Sequence, residues 1–293
     1  MRRAVSRRGC YAKEDGDFIC LVGRTMHFEL VFAFCPPTLV HRSTPLVHMS
    51  ATTSPSQADW MQAAKRRQQA AAAHVAMDDG ELDRAIESLR RLSPEGIDFA
   101  ALRELYAREA HKDYKDWPAT EQAATALAGI IGGPGQAAFD RVFQRVLEDG
   151  NFAGAEAAAT HRPAGQKPWI VLVTGLNGIR KTTSVNQPWF KEVLKESLGF
   201  GGAAAELPDG SDSFFRQLDY MVATVALSEF ETLYAGASEP ESYASAKASI
   251  FARYRGIAEM LGVLLLQAAA ARRMNIMVET SGRDIGMCAS LGR

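Results

Sequence analysis

The strongest constraint on the fold is a short apolar run that ends at a glycine and leads into a helix-forming sequence. Residues 168–174 read Pro-Trp-Ile-Val-Leu-Val-Thr, a continuous run rich in β-branched side chains. Such a run is typical of a strand buried on both faces of a parallel sheet. Gly175 ends the run, and residues 181–198 have a helical composition. This succession predicts the first strand, turn and helix of an α/β domain.

The predicted turn carries most of the phosphate-binding loop pattern G-x-x-x-x-G-K-[ST]. Gly175, Lys181 and Thr182 match its first glycine, its lysine and its hydroxyl. In such a loop, backbone N–H groups cradle the phosphates, the lysine reaches the outer ones, and the hydroxyl holds Mg²⁺. We therefore predict a nucleotide site with Thr182 as the metal ligand. The predicted nucleotide-binding residues are Gly175, Asn177, Gly178, Arg180, Lys181, Thr182 and Thr183.

One position of the loop departs from the pattern. Arg180 stands where a glycine normally lets the backbone approach the phosphate closely. Asn177 and Gly178 both tolerate positive φ and can supply the turn instead. The guanidinium of Arg180 can also pair with a phosphate bidentately. The alternative interpretation is an ordinary strand-to-helix turn in which Lys181 has no ligand.

A second buried strand is predicted at residues 274–279, Met-Asn-Ile-Met-Val-Glu. Ligands gather outside the carboxyl ends of parallel strands, so we expect Glu279 near Thr182, where its carboxylate can bind Mg²⁺ through water. Arg283 follows in the next loop and is placed to neutralise charge on a transferred phosphoryl group. The alternative is that the residues after the strand cap a helix and Glu279 is solvated.

A third, short strand is predicted at residues 214–219, followed by helices at 220–234 and 242–273. Asp219 at its end is the candidate that accepts the proton of a substrate hydroxyl, and an ordinary helix N-cap is the alternative. Arg216 and Asp212 are nearby candidates. Apolar residues at helical spacing in the last helix are interpreted as core: Phe251, Tyr254, Ile257, Met260 and Leu261.

The region before this α/β domain is predicted to be all-helical. Apolar residues recur at helical spacing between glycine and proline breakers, giving helices at 54–77, 81–92, 99–111, 119–131 and 136–147. The helix at 54–77 is expected to begin at the pair Ser54-Pro55. A linker at 160–167 separates this module from the rest. The predicted organisation is an extension over 1–48, a helical module over 54–160 and a nucleotide-binding domain over 168–293.

Composition limits the partners. With 33 Lys and Arg against 34 Asp and Glu, the net charge is −1, which gives no global electrostatic reason to expect a nucleic acid or a membrane surface. The apolar residues within 18–40 are too interrupted for a span of about 20 residues. The four cysteines lack zinc or disulfide spacing, so we expect reduced thiols and a cytoplasmic protein. The helical module is expected to offer a site for a protein partner.

Residues 278–283, Val-Glu-Thr-Ser-Gly-Arg, follow a long predicted helix and a short strand. They resemble the Glu-Gly-Thr-x-Arg segment of zeta-toxin-like P-loop kinases, with Thr280 in place of the glycine. The resemblance implies an α/β P-loop NTPase-type parallel sheet. It also implies ATP and Mg²⁺ as cofactors and phosphoryl transfer to a hydroxyl of a small molecule or a nucleotide sugar. Asp219, Glu279 and Arg283 are then the catalytic residues.

A second resemblance is to the signal-recognition-particle GTPases. Their first loop reads Gly-x-Asn-Gly-x-Gly-Lys-Thr-Thr, a later strand ends in Asp-Thr-Ala-Gly-Arg, and a helical domain precedes them. Residues 213–216 resemble their middle motif, whereas Glu279 replaces their aspartate. A non-catalytic nucleotide-binding helical adaptor is the third alternative. Both enzyme families need further segments after residue 293, so we expect the sheet to be incomplete and the chain to be truncated at its C-terminus.

Overall fold

The structure is a computed structural model that describes the backbone of residues 18–22 and the chain over residues 56–174, 212–237 and 239–280. Helices dominate the first long range. They are α1 (Gln57–Ala72), α2 (Asp79–Leu92), α3 (Phe99–Glu109), α4 (Trp117–Ile131), α5 (Ala137–Val142), α6 (Gln144–Asp149) and α7 (Phe152–Thr160). The remaining helices are α8 (Leu218–Val225), α9 (Leu227–Gly236) and α10 (Pro240–Ala271). The strands are β1 (Phe18–Val22), β2 (Ile170–Thr174), β3 (Ser213–Arg216) and β4 (Asn275–Thr280).

Short polar side chains fix where the early helices begin. At α2, the Asp78 side chain accepts from the backbone N–H of Glu81, and the Glu81 side chain accepts from the backbone N–H of Asp78. This reciprocal capping box satisfies two donors that a helix start leaves unpaired. At α1 the same arrangement joins Ser56 and Asp59. The helix α1 therefore begins after Ser56 and ends at Ala72, so the helix predicted at 54–77 is shorter at its C-terminal end; its predicted cap, Ser54-Pro55, lies outside the described residues.

Two predicted helices are interrupted. The helix predicted at 136–147 is divided into α5 and α6 at Phe143, whose φ of −106° and ψ of 20° lie outside the helical region. Phe143 is buried against Phe139, with ring centroids 4.7 Å apart, so tertiary packing determines the break. The helix predicted at 220–234 is likewise divided at Ala226, with φ −112°. The helix α7 was not predicted, because small residues give it little amphipathic pattern.

The strands form one parallel sheet in the order β1-β2-β4-β3. The strand β4, which follows β2 and β3 along the chain, therefore lies between them in the sheet. In the register of β2 and β4, Thr174 is opposite Thr280. In that of β3 and β4, Arg216 is opposite Val278. The protein is thus mostly helical with a small parallel sheet, which confirms the parallel strands expected for an α/β chain.

Alternate residues of the strands point to opposite faces of the sheet. One face joins the main hydrophobic core through Leu172, Phe214, Ile276 and Val278. The other face forms a separate cluster of Trp169, Val171, Val173, Phe215 and Met277. Because both faces are apolar, the strands appear in the sequence as continuous hydrophobic runs.

The 32-residue helix α10 is the centre of the main core. It packs against α1, α4 and α8, and its middle is buried on all sides. The expected core residues Tyr254, Ile257, Met260 and Leu261 are at most 2% exposed, and Phe251 packs against them. The same core includes residues from α1 to α7, so the helical region and the sheet pack directly on each other. Among the described helices, none is both long and apolar enough to cross a membrane.

The outer edge of β3 is covered by the loop between α6 and α7. The backbone N–H of Phe215 donates to the Gly150 carbonyl oxygen at 2.9 Å, and Asn151 Nδ2 donates to the Ser213 carbonyl oxygen at 3.2 Å. Asn151 has φ 57°, a left-handed conformation that asparagine adopts more readily than most residues. The loop therefore occupies hydrogen-bonding groups that would otherwise be open to another strand.

Candidate functional site

The carboxyl ends of β2 and β4 lie side by side at one edge of the sheet. Their last residues, Thr174 and Thr280, are register partners, and neighbouring strands are separated by about 4.8 Å. The predicted phosphate loop begins at the residue after Thr174, so the chain enters it beside the end of β4. The residues of that loop lie outside the described part of the chain, as does Arg283: Gly175, Asn177, Gly178, Arg180, Lys181, Thr182 and Thr183.

Glu279 lies at this edge, next to the last residue of β4. It is half-buried, and its register partner is Val173. By strand alternation it shares the sheet face of Met277, which is the face opposite α10. A carboxylate in this position has the hard oxygen atoms that Mg²⁺ prefers. Glu279 is therefore a residue of the predicted site that the structure does describe, at the carboxyl end of β4.

Asp219 lies close to the same edge but not at the end of a strand. The strand β3 ends at Arg216, and Asp219 is an exposed residue in the first turn of α8. The prediction of a strand end at Asp219 was wrong, because Met221, Val222 and Val225 bury one side of a helix that already begins at Leu218. The cap position is Gln217, so Asp219 is not an N-cap either. A carboxylate in a first helical turn is favoured by the helix dipole.

Arg216 ends β3 and points to the opposite face of the sheet, toward α10. It forms an ion pair with Glu259, and each residue is only 2% exposed. Arg255 Nε also donates to Glu259, at 2.9 Å, and its guanidinium lies 4.9 Å from the ring centre of Tyr114. One buried carboxylate thus binds two arginines on the α10 side of the sheet, which is the side opposite Glu279.

The electrostatics of Glu259 follow from these neighbours. Burial raises the pKa of this carboxyl, but the positive charges and hydrogen bonds of Arg216 and Arg255 outweigh that effect and hold the pKa below its ordinary value. Glu259 is therefore a buried anion. The sequence signal that identifies it is a lone carboxylate inside the long apolar stretch of α10, where charged residues are rarely buried without a partner.

Asp212 belongs to the other end of the sheet. It precedes β3, and its Oδ2 accepts a hydrogen bond of 2.9 Å from Nδ2 of Asn275, the first residue of β4. Arg162 Nη2 in turn donates to Asn275 Oδ1 at 2.7 Å. These contacts lie at the starts of β3 and β4, so Asp212 is at the end of the sheet opposite Asp219, although the sequence analysis named it as a nearby candidate.

No group of three or more His, Cys, Asp or Glu residues within 56–174, 212–237 and 239–280 is arranged to hold a metal ion by itself.

Comparison of the chain with protein families, with curated proteins and with solved structures finds no match.

Proposed function

We propose that the chain is an ATP-binding P-loop protein with the fold and activity of a zeta-toxin-like kinase, which transfers the γ-phosphate to a hydroxyl of a small molecule or a nucleotide sugar. The observation that supports this most is the register of Thr174 with Thr280. The chain enters the Gly175–Thr183 segment from Thr174, which lies beside the residue after Glu279, and β3, which runs parallel to β4, ends three residues before Asp219.

The roles of the residues follow from the chemistry of phosphoryl transfer. Lys181 and the loop N–H groups would bind the phosphates, and Thr182 and Glu279 would hold Mg²⁺, which supplies positive charge to the β- and γ-oxygens when bound. The acceptor hydroxyl oxygen forms a bond to the γ-phosphorus while the bond to the bridging oxygen breaks and ADP leaves. Asp219 accepts the hydroxyl proton, and Arg283 stabilises the charge of the transferred group.

Nucleotide binding is tested first, by titration calorimetry with ATP and with GTP, each with Mg²⁺ and with EDTA. We expect Mg²⁺-dependent ATP binding that Lys181→Ala abolishes. Lys167→Ala is the matched control, since Lys167 is an exposed lysine that lies before β2 and not after it. Binding that is equal in wild type and Lys181→Ala would contradict the proposal, and a preference for GTP would favour the GTPase alternative.

Catalysis is tested separately, by following transfer of labelled γ-phosphate from ATP to a panel of nucleotide sugars. We expect Asp219→Asn to reduce transfer by about 10²–10⁴-fold, the usual contribution of a positioned general base, with ATP affinity unchanged. Binding of ATP without transfer to any acceptor, in wild type as in Asp219→Asn, would instead favour a non-catalytic adaptor.

A further inference from the structure

The helix α10 ends in a turn that favours glycine. The backbone N–H of Met274 donates to the Ala269 carbonyl oxygen at 3.0 Å, and that of Arg273 donates to the Ala270 carbonyl oxygen at 2.9 Å. These two bonds form a Schellman motif, in which the residue after the cap is left-handed and is most often glycine. Here that residue is Arg273, with φ 56°. An arginine in a conformation that penalises a side chain indicates a role for the side chain outside the turn.

The end of α10 does not need Arg273 as its cation. A positive charge near a helix C-terminus is favourable, and Arg272 already supplies it. Its Nη1 donates to the Ala268 carbonyl oxygen at 3.1 Å, and its Nη2 donates to that of Pro134 at 2.8 Å. Its Nε pairs with Glu156 at 2.7 Å. Arg273 is exposed and forms no ion pair with the described part of the chain.

A second guanidinium is held beside Arg273 by neutral groups. Arg162 Nη1 donates to the carbonyl oxygen of Arg273, and Nη2 donates to Asn275 Oδ1 at 2.7 Å. Partial burial and the charge of Arg273 lower the pKa of Arg162, while the charge of Asp212 acts in the opposite direction. The guanidinium is therefore fixed in position by acceptors that do not carry the charge to neutralise it.

These two arginines lie at the amino ends of the strands, at the opposite end of the sheet from Glu279. The exposed Lys167 lies at the same end, just before β2. We call Arg162, Lys167 and Arg273 the basic edge. The whole chain has a net charge of −1, so the basic edge is a local excess of positive charge on an almost neutral protein. A ligand that fits it is an anion.

The surroundings of the basic edge favour carboxylates of a protein over other anions. Guanidinium groups pair bidentately with carboxylates as well as with phosphates. Single-stranded nucleic acids also need exposed rings for stacking, and insertion into a membrane surface needs exposed apolar side chains. The large apolar side chains that are exposed in the described chain belong to α2, α9 and the turn between α1 and α2, away from the segments of the basic edge: Val75, Leu92 and Tyr234.

We propose that the basic edge is a docking surface for an acidic segment of a partner protein, whose carboxylates bind the guanidinium groups of Arg162 and Arg273. Charge complementarity supports this occupant, together with the arginine in a turn that favours glycine. The inference is independent of the proposed nucleotide function, because the basic edge lies at the other end of the sheet. A partner bound there leaves the carboxyl edge open.

The first test titrates the full chain into a fluorescein-labelled peptide of alternating glutamate and glycine, followed by fluorescence anisotropy. The glutamine counterpart of the peptide is the control. Salt is set at about 0.01 M and about 0.15 M, between which the Debye length falls from about 30 Å to about 8 Å. We expect the glutamate peptide to bind more weakly at the higher salt, and the glutamine peptide not to bind.

The second test uses variants. Arg273→Gly removes the side chain where the backbone favours glycine, so its unfolding temperature should be equal or higher. The dissociation constant of the glutamate peptide should rise about threefold to fivefold, as for the loss of one exposed ion pair, and about tenfold or more in Arg162→Gln/Arg273→Gly.

Lys115→Gln is the matched control for the loss of one charge. The exposed Lys115 lies over the ring of Tyr114, which Arg255 also covers, and Arg255 is about 24 Å from the C-terminal end of α10. We expect this variant to bind the glutamate peptide as wild type does.

Four results would overturn the proposal. They are the absence of glutamate-peptide binding by wild type at low salt, an unchanged dissociation constant in Arg273→Gly, and an equal rise in Lys115→Gln. The fourth is tighter binding of an oligothymidine, or of vesicles of phosphatidylserine and phosphatidylcholine, than of the glutamate peptide. A lower unfolding temperature of Arg273→Gly would show that the side chain serves the fold, and would likewise count against a docking role.

Discussion

Arg253 of α10 and Glu81 of α2 form a bidentate ion pair, with distances of 2.8 Å from Nε to Oε1 and 2.5 Å from Nη2 to Oε2. The same guanidinium donates to the carbonyl oxygens of Val75 and Ala76, at 2.6 Å and 3.0 Å. One side chain of the central helix therefore ties down the turn between α1 and α2. Because Glu81 also completes the capping box of α2, the pair joins helix capping to the core.

We expect Arg253→Met to lower the free energy of unfolding by about 3–5 kcal/mol, since it leaves the Glu81 carboxylate buried without its charge partner. The double variant Arg253→Met/Glu81→Gln should recover part of this loss, because glutamine keeps the capping box and removes the charge. Urea unfolding of the three proteins measures the effect. A loss below about 1 kcal/mol for the single variant would show that the pair behaves like an exposed one.

Two glycines in helices should respond oppositely to alanine. A Cβ at Gly256 would lie 2.3 Å from the carbonyl oxygen of Ala110, a backbone atom that cannot easily move, so Gly256→Ala should destabilise by about 1–3 kcal/mol. Gly129 in α4 has no atom within 4 Å of the added Cβ, so Gly129→Ala should stabilise by about 0.5–1 kcal/mol. Thermal unfolding of both variants checks the prediction, and a shift of the same sign in both would contradict it.

Glu259 should contribute an acid-sensitive part of the stability. The folded state holds the pKa of this carboxyl below its ordinary value of 4.5, so its stabilisation is present above pH 4.5 and is lost as the pH falls through the lower folded pKa. We expect the free energy of unfolding to decrease less steeply below pH 4.5 in Arg216→Met/Glu259→Met than in wild type. Parallel acid titrations followed by circular dichroism measure the two slopes, and equal slopes would contradict the ion pair as described.

The covered edge of β3 should protect the protein from self-association. Asn151→Asp keeps a residue that tolerates positive φ but removes the amide donor to Ser213, and it places an anion beside a carbonyl oxygen. We expect this variant to be less stable by about 1–3 kcal/mol and to scatter more light on mild heating, because an open strand edge pairs with other chains. Asn151→Gly removes the same bond without the repulsion and should have a smaller effect.

Local patterns in the sequence were enough to predict most elements. Helical spacing of apolar residues indicated α2, α3, α4 and α10, and continuous apolar runs indicated β2 and β4 as buried parallel strands. These signals are reliable because they depend on the repeat of each element and on burial of its faces. The pattern from Gly175 to Thr182 also remains the strongest indication of function, and it can be recognised from the order of residues alone.

The sequence by itself therefore predicted most of the helices and the strands β2 and β4 in their order along the chain, but neither α7 nor β1. Only the tertiary structure decided that β4 lies between β2 and β3, and that Thr174 is opposite Thr280, because strand order and register depend on contacts between distant segments. It also decided the breaks at Phe143 and Ala226, where packing prevails over local helix preference. The burial of Glu259 with Arg216 could not be predicted either, since an ion pair requires two positions that only the folded chain brings together.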